Sequence, residues 1–343
     1  ARPLWMEVQV TGGSTTIRHF MEPVRKAGAA ARHVLVEAAA QRWGVTADSC
    51  RTENSHVIHG DSGRSLSYAE LAADAALISP PDDPPLKSAE EFNFIGRSMP
   101  RLDMVSKVTG TACFGIDVRR DGMVYAAVRQ VPASGGRIAR VGELPGDVRR
   151  GVIKVVNLGD AVAVIADGYW QAQQALNGLD IEFAETRDIS SAALMEQYRA
   201  ALDGEASHTY RDDGDIGAVA IDDSNTQVEA RYEVPYLAHS CMEPMNATAH
   251  VHDGVCDIWL PTQAPAVVRD RAADAIGLDS VNVNINPTFL GGDLAVDQRR
   301  MLVSLLHGLQ RTRNIPFKLF GPAKKTFAAM PTAPWRQLVC AAI

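Results

Sequence analysis

Two glycine-containing loops and one Glu-Pro segment hold the residues of this sequence that could do chemistry. In the first loop, residues 11–16, two glycines precede three hydroxyl residues and a predicted helix start. Glycines let backbone N–H groups approach a ligand closely, and a helix N-terminus carries partial positive charge. We predict an anion-binding loop suited to phosphate, with an ordinary capped helix start as the alternative. The predicted binding residues are Gly12, Gly13, Ser14 and Thr15.

A second segment, residues 236–249, combines an acidic side chain with methionines and a proline. Glu243 follows Met242 and precedes Pro244. A carboxylate can act as a general base, so Glu243 is the candidate for that role, and a buried carboxylate that only stabilises the fold is the alternative. Met242 and Met245 are also consistent with core packing, because methionine fills irregular gaps.

Two further segments could contribute to a binding site. Gln263 follows Thr262 just before a predicted helix, and Gly291 and Gly292 stand in a loop after a predicted strand. Adjacent glycines let the backbone come close to a ligand or to another segment.

Several residues of metal-ligating types fall close together in the sequence. Cysteine and histidine are the usual zinc ligands, but no pair here has Cys-x-x-Cys spacing. Two of the histidines flank one residue of a predicted strand that turns at Asp253 and Gly254. We therefore predict that no metal is bound by these side chains. They are His239, Cys241, His250, His252 and Cys256.

Helices and strands must position these groups. Apolar residues at three-to-four spacing predict a long helix over residues 17–43, ended by Gly44. Ser67 followed by Glu70 predicts the start of a short helix. Alternating residues over 111–118 predict a short strand, and a second strand follows Gly122. Further strands are predicted over 151–156, 161–166, 179–183, 255–260 and 281–285, and further helices over 167–176, 192–202 and 264–276.

The order of these elements predicts a mixed α/β (α+β) fold in several parts. A proline cluster within 79–98 predicts a linker, because proline suits neither a helix interior nor a central strand. Residues 1–78 precede this linker, and a compact α/β unit over 99–185 follows it. An acidic connector, 186–228, then leads to a second α/β block over 229–343.

Composition narrows the class of protein. The chain has 343 residues, of which 46% are hydrophobic and 22% charged, values typical of globular proteins. Its net charge of −7 and its lack of Lys/Arg runs exclude an obvious nucleic-acid surface. No apolar run approaches the roughly 18 residues that a membrane-spanning helix needs. The 5 scattered cysteines predict a reducing compartment. Because the chain lacks an initiator Met, we interpret it as a fragment or a processed piece.

The stretch 101–126 resembles the opening of the small hammerhead domain in the large subunit of molybdenum hydroxylases, the family of xanthine dehydrogenase and aldehyde oxidoreductase. The glycine loop that precedes this stretch, and the run Met-Glu-Pro-Met-Asn-Ala-Thr-Ala, are similar to the branch that contains the β-subunit of isoquinoline 1-oxidoreductase. The matching positions are Arg101, Leu102, Asp103, Lys107, Val108, Thr109, Gly110, Ala112, Phe114, Asp117 and 122–126.

The resemblance implies an oxidoreductase that inserts a water-derived oxygen at a carbon of an aldehyde or an N-heterocycle. It implies molybdopterin cytosine dinucleotide carrying Mo as cofactor. Electrons would leave through a [2Fe–2S] cluster on a partner iron–sulfur subunit, with a cytochrome c or flavin subunit as a further partner. The expected compartment is the cytoplasm, with export of the folded protein to the periplasm as the alternative.

The resemblance also implies roles for the candidate residues. The loop 12–15 would lie against the pyrophosphate or pterin of the cofactor. Met242 stands where many relatives carry a Gln that hydrogen-bonds the apical oxygen of the metal. Gln263, Gly291 and Gly292 would lie close to the metal ligands.

The sequence departs from the family pattern at two places. Asp293, Leu294 and Ala295 stand where the family has Gly-Phe-Gly, and no Gly-x-Gly-Glu motif occurs. The family's catalytic base lies in that motif, so no catalytic residue besides the candidate Glu243 is named. The alternative function is therefore a non-catalytic family member that serves as an assembly or structural piece without a working cofactor.

Overall fold

The computed structural model shows a mixed α/β protein, which confirms the predicted fold class. By packing it divides into two compact units, Ala1–Ala112 and Cys113–Ile343. The described residues are 9–132, 136–184, 190–211, 213–215, 218, 226, 228–237, 241–292 and 317–320.

A long helix dominates the first unit. Helix α1 (Thr16–Trp43) ends at Gly44, which has a φ of 66° and donates its N–H to the carbonyls of Ala40 and Gln41. Only glycine adopts this left-handed conformation readily, so the helix stops where the sequence predicts. The C-terminal half of α1 buries alanines, among them Ala38 and Ala39.

A small antiparallel sheet packs against α1. Its strands, in order, are β1 (Cys50–Glu53), β2 (His56–His59) and β3 (Ser65–Ser67). Helix α2 (Tyr68–Ala75) follows with the predicted capping box between Ser67 and Glu70. Helix α3 (Met104–Val108) is the last helix described in this unit.

The proline-rich segment 79–98 lies along α1 and is held there by polar contacts. Arg25 donates to the carbonyl of Lys87 at 2.6 Å, and its guanidinium lies 5.0 Å from the centre of the Phe92 ring. Lys26 Nζ lies 3.0 Å from a carboxylate oxygen of Asp83. The predicted boundaries at 78/79 and 98/99, like those at 185/186 and 228/229, stay predictions.

The second unit contains most of the strands. Its helices are α4 (Tyr169–Gly178), α5 (Ser191–Leu202) and α6 (Pro265–Ile276). Its strands are β4 (Val124–Gln130), β5 (Arg137–Val141), β6 (Val152–Asn157), β7 (Ala161–Ala166), β8 (Ile181–Ala184), β9 (Asn246–His252), β10 (Val255–Leu260), β11 (Val283–Pro287) and β12 (Phe317–Phe320).

Within the described residues, seven strands form one sheet in the order β11-β10-β9-β12-β4-β7-β6. The pairs β10–β11 and β12–β4 are parallel, and the other pairs are antiparallel. Strands β5 and β8 pair separately. The large sheet therefore takes strands from both sides of the predicted connector 186–228.

The two faces of this sheet are covered by different helices. On one face, Val268, Ala272 and Ala273 of α6 belong to one hydrophobic core with alternate residues of β9, β10, β4 and β7. On the other face, α4 covers β7 and part of β4. The strands β9 and β12 carry polar side chains on this second face, because the side chains of a strand alternate between faces.

One predicted strand is wrong. Over 111–118 the structure has a single bridge at Phe114 followed by a 3₁₀ turn, Gly115–Asp117, instead of a strand. The carboxylate of Asp117 accepts a hydrogen bond from the N–H of Phe114 at 3.0 Å, which favours a local turn over sheet pairing. The expected strand at 281–285 also begins later, because Asp279 caps a short turn over Ser280–Asn282.

We expect Arg25 to control the accessibility of the segment 79–98. Replacing Arg25 with Ala removes a charge-assisted hydrogen bond and the contact with Phe92, so trypsin should cleave after Lys87 about fivefold faster, as loss of about 1 kcal/mol implies. Replacing Arg18, an exposed arginine of the same helix, with Ala is the matched control. Equal cleavage rates in R25A and the unmodified chain would contradict this role.

Candidate functional site

The carboxylate of Glu243 joins three segments that are far apart in the sequence. Its Oε1 accepts hydrogen bonds from the N–H of Ile116 and from Nδ2 of Asn246, both at 2.8 Å. Its Oε2 accepts one from the N–H of Gly291 at 2.7 Å. The N–H of Glu243 donates back to the carbonyl of Gly291 at 3.1 Å. We call Glu243, Ile116, Asn246 and Gly291 the Glu243 cluster.

Glycines allow the backbones around this cluster to approach closely. A Cβ on Gly115 would lie 2.5 Å from Cδ of Pro261 and 2.6 Å from Oδ1 of Asn246. A Cβ on Gly291 would lie 2.5 Å from Cβ of Glu243, and one on Gly292 would lie 2.4 Å from Cβ of Cys241. Such distances do not occur in real structures, so the sequence needs glycine at all three positions.

The other predicted residues of this region lie around the cluster. Met242, between Cys241 and Glu243, is 93% exposed. Gln263 is half-buried just before α6, next to the buried Thr262. The structure thus brings Met242 together with Gly291 and Gly292, whereas Asp293, Leu294, Ala295 and His239 lie outside the described residues.

The predicted anion loop belongs to the first unit. Gly13 and Ser14 have φ values of 64° and 52°, and Thr15 Oγ1 donates to the carbonyl of Gly12 at 3.0 Å. A non-glycine residue with positive φ is uncommon and costs free energy. Helix α1 starts directly after this loop, with no acidic residue in its first turn. The loop therefore presents glycine backbone, a hydroxyl and an uncompensated helix N-terminus.

Comparison with known families places most of the Glu243 cluster in a recognised domain. A model described as molybdopterin cofactor-binding domain matches residues 202–293, which include Glu243, Gly291 and Gly292. This part of the chain is a molybdopterin cofactor-binding domain, and the chain is similar to large subunits of molybdenum-containing oxidoreductases. The closely packed loop of Gly291 and Gly292 is therefore part of a molybdopterin-binding domain.

Two curated relatives are similar over most of the chain. The beta subunit of isoquinoline 1-oxidoreductase from Brevundimonas diminuta is 28% identical over 340 residues, which cover 84% of this chain and 43% of the relative. One subunit of nicotinate dehydrogenase from Pseudomonas putida is 30% identical over 288 residues, 80% of this chain and 24% of the relative. The chain spans less than half the length of these relatives.

Among solved structures, the chain is similar to quinoline 2-oxidoreductase from Pseudomonas putida 86. The matched region covers 66% of this chain and 34% of the quinoline 2-oxidoreductase chain. Its sequence identity is 17% and its TM-score is 0.48.

Glu243 has two possible roles, a structural carboxylate or a general base, and the geometry supports them unequally. Both of its carboxylate oxygens accept hydrogen bonds from N–H groups of the fold. Such bonds hold the carboxylate in place, which supports a structural role. Its role as a general base stays a prediction.

One buried charged residue was not predicted from the sequence. Lys318 on β12 is fully buried, and its Nζ donates to the carbonyls of Gly115, Ile116 and Val118 at 3.0, 2.6 and 2.9 Å. Burial, together with the nearby Arg119 guanidinium, lowers the pKa of Lys318 to about 8. The signal in the sequence was a single lysine among apolar residues, flanked by Phe317.

The histidines of β9 lie near an acidic side chain instead of a set of metal ligands. His252 Nε2 lies 2.9 Å from Oδ2 of Asp257, and Asn284 donates to the other oxygen of Asp257 at 2.8 Å. The predicted hairpin turn is confirmed at Asp253 and Gly254, with φ values of 46° and 81°. Among the described residues, no group of three or more Cys, His, Asp or Glu is arranged to hold a metal ion.

No helix in the described part of the chain is both long enough and apolar enough to cross a membrane.

We expect Gly115 to be required for the packing of this site. Replacing it with Ala places a methyl group against Pro261 and Asn246, so the free energy of unfolding should fall by about 1–3 kcal/mol, as for other overpacked sites. The control is G146A, because a Cβ on Gly146 meets nothing within 4 Å. Urea unfolding of both variants is the measurement, and equal stability of the two would contradict the close packing.

The pair His252–Asp257 should give the unfolding free energy a pH dependence. The hydrogen bond with Asp257 raises the pKa of His252. Its stabilisation is therefore complete below the ordinary histidine value of about 6.5 and is lost as the pH rises through the raised value. Between pH 6 and pH 8.5, the unfolding free energy of H252Q should decrease less than that of the unmodified chain.

The control for this pH dependence is H208Q, which removes a histidine elsewhere in the same unit. Urea unfolding at both pH values should give H208Q the same decrease as the unmodified chain. A full-size decrease in H252Q would show that the contact with Asp257 does not stabilise the fold.

Proposed function

We propose that this chain is the molybdenum-cofactor-binding part of the large subunit of an oxidoreductase. The reaction is the hydroxylation of an aldehyde or N-heterocycle carbon with an oxygen derived from water. The observation that carries the proposal is the Glu243 cluster, of which Glu243, Asn246 and Gly291 lie inside the matched domain. It joins the Met-Glu-Pro segment to the loop of Gly291 and Gly292, the two segments expected beside the metal.

The residues of the first loop fit an anionic cofactor. Gly13 and Ser14 adopt positive φ, and successive N–H groups in such a conformation form an anion-binding concavity. The N-terminus of α1 adds partial positive charge, worth about 0.3–1 kcal/mol at an exposed site. In the proposal, Gly12, Gly13, Ser14 and Thr15 hold the phosphate-bearing part of molybdopterin cytosine dinucleotide.

The residues of the Glu243 cluster would act on position and not on the chemistry itself. The bound cofactor supplies the redox chemistry, and the protein supplies orientation. Glu243 fixes the backbone on either side of Met242, whose exposed side chain is available to a ligand. Gly291 and Gly292 keep side-chain bulk out of this region, and Gln263 adds an amide nearby. The thioether of Met242 is only a weak acceptor and has no N–H, so it cannot donate the hydrogen bond that a Gln amide would make.

The proposal includes partners and a compartment. Electrons leave through a [2Fe–2S] cluster on an iron–sulfur subunit, followed by a cytochrome c or flavin subunit. Cytoplasmic location is proposed, with periplasmic location of an exported folded protein as the alternative. The competing function is a non-catalytic family member, which Asp293, Leu294 and Ala295 favour because the family's Gly-Phe-Gly is missing there.

The molybdenum and pterin content of the protein, purified with the subunits that accompany it, separates these two functions. About one Mo and one pterin per chain, with dye reduction in the presence of isoquinoline or benzaldehyde, supports the enzyme. A folded protein without Mo or pterin supports the non-catalytic alternative.

We expect Gly13 to be needed for cofactor binding. Replacing it with Val puts a β-branched residue at a φ of 64° and closes the loop, so the affinity for the molybdopterin cofactor should fall about tenfold, equivalent to about 1.4 kcal/mol. The control is G63V, which places the same residue at a φ of 66° away from the loop. Equal cofactor affinity in G13V and G63V would remove the loop from the proposed site.

A further inference from the structure

Lys318 occupies the middle of the seven-stranded sheet. On β12 it pairs with Thr248 of β9 on one side and with Tyr125 of β4 on the other. Its side chain lies on the polar face of these strands, opposite the face that packs against α6. Burial of an ammonium costs several kcal/mol unless its N–H groups find acceptors. The acceptors here are backbone carbonyls of the turn 115–118.

A single peptide group links this ammonium to Glu243. Lys318 Nζ donates to the carbonyl oxygen of Gly115 at 3.0 Å. The N–H of the same peptide, that of Ile116, donates to Glu243 Oε1 at 2.8 Å. The positive and negative charges therefore lie at opposite ends of one peptide dipole. Each charge polarises the peptide in the direction that strengthens the other hydrogen bond.

The turn has little freedom to move between these two charges. Gly115 is in close contact with Pro261 and Asn246, and Ile116 and Val118 offer their carbonyls to Lys318 at 2.6 and 2.9 Å. Arg119 donates to the last two carbonyls as well, at 2.7 and 3.0 Å. The position of the turn is thus determined by cations on its carbonyl side and by Glu243 on its amide side.

We propose that Lys318 is a positioning residue that acts through the peptide between Gly115 and Ile116 on Glu243, and through Glu243 on the loop of Gly291. The first part concerns this chain alone. The second part, that this position of the loop is needed for cofactor binding, rests on the proposed function.

Amide hydrogen exchange tests the first part. The K318M variant keeps the length and apolar stem of the side chain but removes the charge. Exchange at the amides of Ile116 and Gly291 should become at least tenfold faster in this variant, and K318R should restore most of the protection. The control is K154M, a half-buried lysine on β6 of the same sheet. Unchanged exchange at Gly291 in folded K318M would overturn the proposal.

A second variant covers the case in which K318M does not fold. Glu243→Gln keeps an acceptor for the N–H of Ile116 but removes the negative charge. The ¹⁵N resonance of Lys318 Nζ should shift in this variant, because the peptide between Gly115 and Ile116 connects the two side chains. The E143Q variant, which removes an exposed carboxylate, should leave that resonance in place. An unshifted Lys318 resonance in E243Q would contradict the peptide link.

Molybdenum and pterin content of the protein purified with its accompanying subunits tests the second part. In K318M both should fall about tenfold in parallel, with recovery in K318R. Normal content together with faster exchange at Gly291 would overturn the link to cofactor binding. An unmodified protein without Mo would instead contradict the proposed function, and the exchange and resonance measurements would still decide whether Lys318 positions the loop.

Discussion

The second unit depends on one half-buried carboxylate whose hydrogen-bond donors come from distant parts of the chain. Glu243 binds the N–H of Ile116, which is 127 residues away in sequence, and that of Gly291, which is 48 residues away. Charge-assisted hydrogen bonds of this kind are about twice as strong as neutral ones. Loss of the carboxylate would leave buried N–H groups without an acceptor, which costs more than the net value of the bonds themselves. One side chain therefore determines the relative position of three backbone segments.

Glycines surround this carboxylate because backbone segments must approach it closely. Backbone amides must come within hydrogen-bond distance of Glu243, and a Cβ on Gly115 or Gly291 would then collide with Glu243 or its neighbours. The same argument applies to Gly292 against Cys241. In the loop before α1, Gly13 serves a different purpose, because its φ of 64° allows a turn that most residues avoid. Glycine is thus required by close packing at one pair of adjacent glycines and by backbone conformation at the other.

Local signals made much of the fold predictable. Gly44 ends α1, and Ser67 with Glu70 starts α2, because caps depend on a few neighbouring residues. The turn 115–118 could not be predicted in this way. Its alternating residues fit a strand, but its true partners are Glu243 and Lys318, which lie more than 100 residues away. Segments of the candidate site were recognisable as motifs, whereas the contact that connects them depends on tertiary structure alone.

At Met242 the position of the backbone and the chemistry of the side chain depend on different residues. Both neighbours of Met242 are held in place. Cys241 packs closely against Gly292, and Glu243 is fixed by its hydrogen bonds. The side chain of Met242 itself is 93% exposed. The backbone position at 242 is therefore independent of which side chain stands there. A Gln at this position would present a donor and an acceptor to a ligand, and a Met presents a weak acceptor on the same backbone. Substitution at this position can consequently change what the site offers to a ligand without changing the fold that holds it.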